Sequence, residues 1–207
     1  MLAEKKIAEF LEELAAGTPT PGGGTVAGVS AATAAALIEM VCNLTIGKRK
    51  YHSVEAEMQK VKEEAGKLRE ICLLLAEKDA NAFDGVMKAI KMPQKTEEEA
   101  RARKEALQEA SKKAALVPMD ILRRCESLAR LCMTIVAKGN ENAISDAGVA
   151  ASLVYSAAQS ASLNILINLT TIQDEDFVGK LKTEQGKVLK SIKDMSEEAK
   201  NCVIGKL

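Results

Sequence analysis

The 207-residue chain contains no tryptophan, only three phenylalanines and two tyrosines. Aromatic side chains are the platforms on which most proteins stack single-stranded nucleic acid. The 29 basic and 29 acidic residues balance to a formal net charge of zero, so no basic surface for nucleic acid or for an acidic membrane is indicated either. We therefore expect no nucleic-acid partner.

Residues that bind metals are also scarce. His52 is the only histidine, and none of the five cysteines belongs to a CxxC pair. A zinc site therefore has no basis in this sequence, and no Ser-His-Asp arrangement can be argued. An odd number of cysteines without a secretory signal is typical of a reducing compartment. We expect a cytoplasmic protein without a metal.

Two long segments lack charge, although 28% of the chain is Asp, Glu, Lys or Arg. They cover residues 14–38 and 147–173 and consist largely of small side chains. A helix without charge on any face is surrounded by protein or by lipid. Pro19 and Pro21 interrupt the first segment, Gln159 lies in the second, and neither is rich enough in Leu, Ile and Phe to face lipid. We expect no membrane span, but two tightly packed central helices.

Apolar residues recur with helical spacing along almost the whole chain, and no segment alternates as a strand does. We predict one domain, residues 1–207, and seven helices, with Val117 and Pro118 marking a break or kink because proline disfavours helix in the residue before it. The predicted helices cover approximately residues 2–15, 25–46, 53–91, 96–117, 118–137, 145–173 and 174–206. The predicted fold is all-α, an up-and-down helical bundle with two buried Ala/Gly-rich central helices.

One carboxylate interrupts the apolar stripe of the third predicted helix. The stripe advances in steps of three and four from Val54 to Ile90, and Asp79 occupies a position where an apolar residue is expected. Burial favours the protonated form of a carboxyl and raises its pKa, as general acid/base catalysis near neutral pH requires. A buried Asp that caps or braces a neighbouring helix is an equal alternative from the spacing alone.

The second uncharged helix has polar residues at both ends of one stripe. Asp146 lies near its start, and Asn164 and Asn168 lie near its end. Buried Asn side chains can hold a heterocycle by pairing donors with acceptors. Hydrogen bonding between helices is the commoner reason for buried asparagines, and it remains the alternative here.

A glycine turn, Gly22 to Gly24, precedes the first uncharged helix. Helix N-termini attract anions through their free backbone N–H groups. Neither the dinucleotide loop nor the phosphate loop applies, since no strand precedes the turn and no Gly-Lys-Ser/Thr follows it. At the other end of this helix, Lys48 and Arg49 are candidates to bind a substrate carboxylate, although a solvated helix end is the commoner explanation.

Four segments occur in a characteristic order along the chain. They are PTPGGGTVA at residues 19–27, DANAF at residues 79–83, Ser145-Asp146, and NILINL at residues 164–169. Together they resemble the formiminotetrahydrofolate cyclodeaminase family, which also includes stand-alone methenyltetrahydrofolate cyclohydrolases. The resemblance extends over nearly the whole chain.

The resemblance implies an all-helical homodimer that acts on a tetrahydrofolate substrate without a cofactor. In cyclodeamination, N10 of 5-formiminotetrahydrofolate attacks the formimino carbon, ammonia leaves, and the 5,10-methenyl bridge remains. A cyclohydrolase, which interconverts methenyl- and 10-formyltetrahydrofolate, is the alternative within the family. A non-catalytic helical binding or scaffold module is the alternative outside it. Animal members carry an additional formiminotransferase, for which this chain has no room, so we do not expect transfer from formiminoglutamate.

The resemblance also implies roles for individual residues. Asp79 matches the acidic residue that the family uses in catalysis, and we expect it to move the proton from N10 to the leaving amine. The expected substrate-binding residues are Ser145, Asp146, Asn164, Asn168, Gly22, Gly23, Gly24, Lys48 and Arg49. In this scheme Asp146 pairs with the pterin 2-amino and N3 groups, and the asparagines hold the pterin edge or the reacting carbon. The glycine turn with Lys48 or Arg49 receives the glutamate tail.

Overall fold

Six α-helices account for most of the chain in the computed structural model, which describes residues 2–207 apart from the Ala3 side chain. They are α1 (Ile7–Ala15), α2 (Gly23–Thr45), α3 (Glu55–Ile90), α4 (Glu97–Lys138), α5 (Ile144–Leu169) and α6 (Glu175–Ile204). Short 3-10 helices cover Leu2–Glu4, Arg49–Val54 and Glu141–Ala143. No strand occurs in the described part of the chain, so the prediction of an all-α bundle is confirmed.

The predicted division of the fourth helix at Pro118 is wrong, because α4 continues through this residue. Proline removes one backbone hydrogen bond and crowds the preceding turn. Pro118 is nevertheless buried, and Met119 and Leu122 beside it are fully buried in the core. Packing of these side chains therefore maintains the helix where local preference disfavours it, and six α-helices replace the predicted seven.

The five long helices form two layers. Helices α3, α4 and α6 form one layer, and α2 and α5 form the other. Helix α2 packs against α3 and α4, and α5 packs against α4 and α6. Helices α2 and α5 also pack against each other. Successive long helices run up and down, so that α2 begins at the end of the bundle where α5 ends.

Helices α2 and α5, which contain the two uncharged segments, are buried on their inner faces, where small residues such as Ala31 and Ala35 of α2 and Ala157 of α5 are fully buried. Their outer faces are exposed in a single chain, with Leu163 at 68% and Ile167 at 63% exposure. The predicted burial therefore applies to one face of each helix. By length and composition alone both helices also suffice to cross a membrane, but about half of each apolar window, 56% and 44%, is buried inside the bundle. The core helices of soluble proteins meet the same criterion.

Helices α2 and α3 approach each other closely at Gly28. A Cβ atom at this position would lie 2.8 Å from the Ala76 Cβ and 2.9 Å from the Cys72 carbonyl oxygen. The missing side chain thus lets the two backbones come together. As a result the next turn of α3, which contains Asp79, lies against the N-terminus of α2.

The opposite end of the bundle is fixed by hydrogen bonds around Asn140. Its backbone N–H donates to the Thr45 hydroxyl over 2.9 Å, and its side-chain Nδ2 donates to the Leu44 carbonyl oxygen over 2.7 Å. The Tyr51 hydroxyl donates to Asn140 Oδ1 over 3.3 Å. These bonds hold the segment after α2 against the turn between α4 and α5.

Candidate functional site

A cleft of about 370 Å³ opens at the end of the bundle where α2 begins and α5 ends. Helices α3 and α4 extend beyond this point and form one of its walls. The lining residues come from the glycine turn and from α2, α3, α4 and α5. They are Pro19, Thr20, Gly22, Gly23, Gly24, Asp79, Phe83, Val86, Ser111, Ala114, Asn164, Ile167, Asn168, Thr170 and Thr171.

Six of the ten predicted site residues meet in this cleft: Gly22, Gly23, Gly24, Asp79, Asn164 and Asn168. They belong to three segments that are far apart in sequence. The antiparallel course of α2, α3 and α5 brings the start of α2, the middle of α3 and the end of α5 to the same end of the bundle. Their roles toward a substrate remain predictions.

Among residues 2–207, Asp79 is the only ionisable residue that lines the cleft. Its partial burial removes hydration from the carboxylate and raises its pKa, while hydrogen bonding from the hydroxyl and backbone amide of Thr25 opposes this effect. The Thr25 hydroxyl, which is almost completely buried, donates to Asp79 Oδ2 over 3.4 Å. The effect of burial is the larger of the two, so the carboxyl is suited to exchange a proton closer to neutral pH than an exposed aspartate.

The glycine turn leaves room for this carboxyl group. A Cβ atom at Gly24 would overlap the carboxyl carbon and both oxygens of Asp79, and one at Gly23 would lie 3.3 Å from Asn164 Nδ2. Gly22 is the N-cap of α2 and has no capping side chain. Asp79 therefore lies where a carboxylate that caps α2 would lie. The helix-capping position that was the alternative for this residue thus occurs together with its exposure to the cleft.

The two asparagines each anchor their amide nitrogen to a backbone carbonyl. Asn164 Nδ2 donates to the Ser160 oxygen over 2.8 Å within α5, and Asn168 Nδ2 donates to the Ala114 oxygen of α4 over 3.0 Å. The bond from Asn168 to Ala114 joins α5 to α4, as expected if the buried asparagines serve to hold helices together. Within residues 2–207, neither side-chain oxygen accepts a hydrogen bond. Both oxygens therefore remain available to ligand donors.

Sequence reasoning missed several residues of the cleft. Phe83 and Val86 provide an apolar wall one and two turns after Asp79 on α3. Ser111 of α4 accepts a hydrogen bond from Thr171 over 3.3 Å. Phe83 follows Asp79 by four residues, so the helical period alone suffices to place it on the same face, whereas nothing in the sequence connects Ser111 to this site.

The other four predicted site residues lie at the opposite end of the bundle. Ser145 and Asp146 belong to the first turn of α5, and 18 residues of helix separate Asp146 from Asn164, a distance of about 27 Å. Lys48 and Arg49 follow α2, are exposed, and form no ion pair within residues 2–207. One chain therefore does not bring these four residues to the Asp79 cleft.

The chemical character of the cleft follows from its lining. It offers one carboxyl group, two amide oxygens, several hydroxyl groups and an apolar wall, and no Lys or Arg of the described part of the chain lines it. Within residues 2–207, no group of three His, Cys, Asp or Glu side chains is close enough to hold a metal ion. Such a site suits proton transfer on a planar, hydrogen-bonding ligand.

Comparison with known proteins gives consistent matches. Residues 6–187 match the Formiminotransferase-cyclodeaminase family. A methenyltetrahydrofolate cyclohydrolase from Methylorubrum extorquens is 44% identical over 86% of this chain and 85% of its own length. The formimidoyltransferase-cyclodeaminase of Sus scrofa is 31% identical over 93% of this chain, which spans only 36% of that longer protein.

A solved structure matches the whole fold. The crystal structure of formiminotetrahydrofolate cyclodeaminase from Thermotoga maritima has a TM-score of 0.90 and 37% sequence identity. The match covers 99% of this chain and 98% of that one. The profile match over most of the chain, the relatives and the shared fold agree, and the chain belongs to the formiminotransferase-cyclodeaminase family.

Proposed function

We propose that the chain is an enzyme of one-carbon folate metabolism that forms the 5,10-methenyl bridge of tetrahydrofolate by cyclodeamination. The observation that carries this proposal is the carboxyl group of Asp79, which faces the cleft with a raised pKa. The family relatives named for cyclodeaminase and cyclohydrolase activity support the folate substrate. In this account the protein is a cytoplasmic homodimer that needs no cofactor.

The reaction requires one proton to leave N10 and one to reach the departing nitrogen. N10 of 5-formiminotetrahydrofolate, whose formimino group reacts as the protonated amidinium, attacks the formimino carbon and forms a tetrahedral intermediate. Ionised Asp79 accepts the N10 proton and then donates it to the formimino nitrogen, so that ammonia leaves and the methenyl bridge remains. A carboxyl group whose pKa is raised toward neutrality suits both transfers. Its ionised form is a stronger base than an ordinary aspartate, and its protonated form still releases the proton near neutral pH.

The remaining lining suits a pterin ring. The apolar side chains of Phe83 and Val86 offer a surface for its faces. The free side-chain oxygens of Asn164 and Asn168 match N–H donors on its edge. Because both amides are held by backbone carbonyls, their oxygens are oriented before the ligand binds, which reduces the entropy that binding costs.

Cyclohydrolase activity is the second candidate, and the 44% identity to a methenyltetrahydrofolate cyclohydrolase favours it. In that reaction water adds to the methenyl carbon and gives one proton to Asp79. Asp79 passes this proton to N5 as the bond from N5 to the carbon breaks, while the hydroxyl of the intermediate releases its proton to solvent and becomes the formyl carbonyl. The product is 10-formyltetrahydrofolate. The same carboxyl group serves both reactions, since each passes through a tetrahedral carbon between N5 and N10.

Two parallel assays distinguish the candidates. In the first, the protein is mixed with 5-formiminotetrahydrofolate, and methenyltetrahydrofolate is followed by its near-ultraviolet absorbance while released ammonia is measured. Matched increases in both establish cyclodeamination. In the second, rapid loss of added methenyltetrahydrofolate to the formyl form, without ammonia release in the first assay, establishes a cyclohydrolase. A folded protein that is inactive in both assays contradicts the proposal and favours a non-catalytic module.

A further inference from the structure

Ser111 of α4 carries a buried hydroxyl group in the wall of the cleft. Only 3% of this residue is exposed, and it lines the cleft. Its oxygen accepts a hydrogen bond from the Thr171 hydroxyl over 3.3 Å, and this is its only hydrogen bond within residues 2–207. The proton of the Ser111 hydroxyl therefore has no carbonyl or carboxylate acceptor in that part of the chain. Because buried polar groups are normally hydrogen-bonded, an acceptor on a ligand would complete this group.

The other hydroxyl groups of the cleft are used differently. The Thr170 hydroxyl donates to a backbone carbonyl oxygen of α5 over 2.7 Å. The Thr171 hydroxyl lies 3.3 Å from two acceptors, the Ser111 oxygen and the Asn168 carbonyl oxygen, and it has one proton to offer them. Thr20 lies on the loop before the glycine turn and is only half-buried. Ser111 is thus the deeply buried hydroxyl of the cleft whose proton stays available.

Asn168 provides an acceptor next to this donor. Helices α4 and α5 run antiparallel, so that Ala114 contacts Asn168 while Ser111 contacts Thr171. Residues three apart on a helix are neighbours, with about 5–6 Å between their Cβ atoms, and Ser111 and Asn168 therefore occupy adjacent positions of the same wall. The Ala114 carbonyl holds Asn168 Nδ2, which leaves the side-chain oxygen as the acceptor. The wall presents a hydroxyl donor beside an amide acceptor.

We propose that Ser111 and Asn168 together recognise the lactam edge of the pterin ring. Ser111 donates to the 4-oxo group, and Asn168 Oδ1 accepts from N3–H. A lactam presents one acceptor and one donor side by side, which is the complement of this pair. The inference rests on the proposed folate substrate and makes Ser111 a residue that determines specificity for it. Asn168 takes here the N3–H that the resemblance assigns to Asp146, which lies at the other end of the bundle in the same chain.

Recognition of this edge also orients the ring toward Asp79. Asn164 lies one turn before Asn168 on α5 and contacts the glycine turn, which Asp79 also approaches. Across the cleft the order is therefore Ser111 with Asn168, then Asn164, then Asp79. In a pterin, N5 lies next to the 4-oxo group on the side away from N3. A ring whose lactam edge contacts Ser111 and Asn168 thus directs N5 and its one-carbon group toward Asp79.

Two ligands that differ in the lactam test this inference. The first is 5-formyltetrahydrofolate, which carries a one-carbon group on N5 and keeps the lactam. The second is its 4-deoxy analogue, in which hydrogen replaces the 4-oxo group and N3 carries no proton. Dissociation constants are measured by titration calorimetry. The wild type is expected to bind the first ligand roughly 10- to 100-fold more tightly, because the analogue leaves both groups of the wall unpaired.

Ser111→Ala isolates the contribution of the hydroxyl group. The variant is expected to bind 5-formyltetrahydrofolate roughly 5- to 20-fold more weakly than the wild type, with unchanged affinity for the 4-deoxy analogue. A merely structural role of Ser111 would affect both ligands alike. The matched control is Ser127→Ala, which removes a hydroxyl group from the same helix about 24 Å away and should leave both affinities unchanged. Melting temperatures measured in parallel show that each variant is folded.

The possible results separate this inference from the proposed function. Equal weakening of both ligands by Ser111→Ala, or wild-type affinity of this variant for both, would overturn the recognition of the 4-oxo group and leave the proposed function in place. A wild type that turns over a folate substrate but binds the two ligands equally would also overturn it. A wild type that is inactive on both folate substrates and binds neither ligand would instead contradict the proposed function, and the inference would fall with it.

Discussion

The carboxyl group of Asp79 accepts a hydrogen bond from the Thr25 hydroxyl, although 54 residues separate the two in sequence. The donor is almost completely buried, and it belongs to the first turn of α2. The acceptor lies in the middle of α3 and lines the cleft. This single contact joins the start of one helix to the proposed acid/base group on another, and it opposes the rise in pKa that burial causes.

Thr25→Val is therefore expected to change the pH dependence of the reaction. The value of kcat/KM should rise on the acid side as Asp79 ionises. Without the hydroxyl donor the carboxylate loses stabilisation, the pKa of Asp79 rises further, and the acid limb moves to higher pH. Thr25→Ser keeps the hydroxyl and should keep the limb near its wild-type position. Superimposable profiles for wild type and Thr25→Val would separate Thr25 from the acid/base group.

Gly24→Ala is expected to reduce turnover by roughly 10- to 100-fold, because small misplacements of a reacting group are costly. The added Cβ overlaps the Asp79 carboxyl, so either that group or the start of α2 must move. Gly186→Ala on α6 is the control, since its Cβ meets no atom within 4 Å. This control should be fully active and more stable by about 0.5–1 kcal/mol. Wild-type turnover in Gly24→Ala would show that the contact does not position Asp79.

The ionised Asp79 carboxylate is expected to reduce the stability of the folded protein. Its pKa is higher in the folded state than in the unfolded state, so the folded state holds the proton more tightly. Below the unfolded pKa both states are protonated and Asp79 has no effect. As pH rises through the unfolded and then the folded pKa, the free energy of unfolding falls.

Asp79→Asn removes this pH-dependent loss. The free energy of unfolding of the variant, measured by urea denaturation, should increase relative to wild type between acidic and neutral pH. The comparison is best made at several pH values from about 4 upward, near and above the ordinary carboxyl range. A variant that becomes relatively less stable as pH rises would mean that capping of α2 outweighs the cost of burial.

Asn168→Ala is expected to weaken folate binding by roughly 5- to 50-fold, which corresponds to one lost hydrogen bond in a partly buried site. The dissociation constant, measured by titration calorimetry, is the readout. Loss of the bond to Ala114 should lower stability slightly, so the melting temperature is measured in parallel. Asn201→Ala, an exposed change on α6, should bind folate as the wild type does. Unchanged affinity in Asn168→Ala would remove this residue from the ligand site.

The helices and their buried faces could be predicted from the sequence, because helical periodicity is a property of short segments. Asp79 could be identified as a candidate because it occupies a position in the regular apolar stripe of the helix where an apolar residue is expected. Pro118 was misjudged because local preference predicts a break, whereas burial of Met119 and Leu122 maintains the helix. The exposure of the outer sides of α2 and α5 was not predicted either, since an absence of charge does not show which faces of a helix are covered.

The composition of the site was harder to predict than the fold. Asp146 and Asn164 share one stripe of α5, but a stripe defines a face of a helix and not a position along it, and about 27 Å separates them. Ser111 carries no local signal and reaches the cleft only through the packing of α4. Thr25 belongs to the segment of residues 19–27 that carries the family resemblance. Its hydrogen bond to Asp79 could not be predicted, because it depends on the close approach of α2 and α3 at Gly28.

Turnover of Asp79→Asn tests the central claim most directly. The substitution keeps the shape of the side chain and removes its capacity to accept and release a proton. We predict a 10²- to 10⁴-fold loss of turnover, with folate affinity close to wild type, while Asp84→Asn, an exposed change on the same helix, remains fully active. A folded Asp79→Asn protein that retains wild-type turnover would contradict the account.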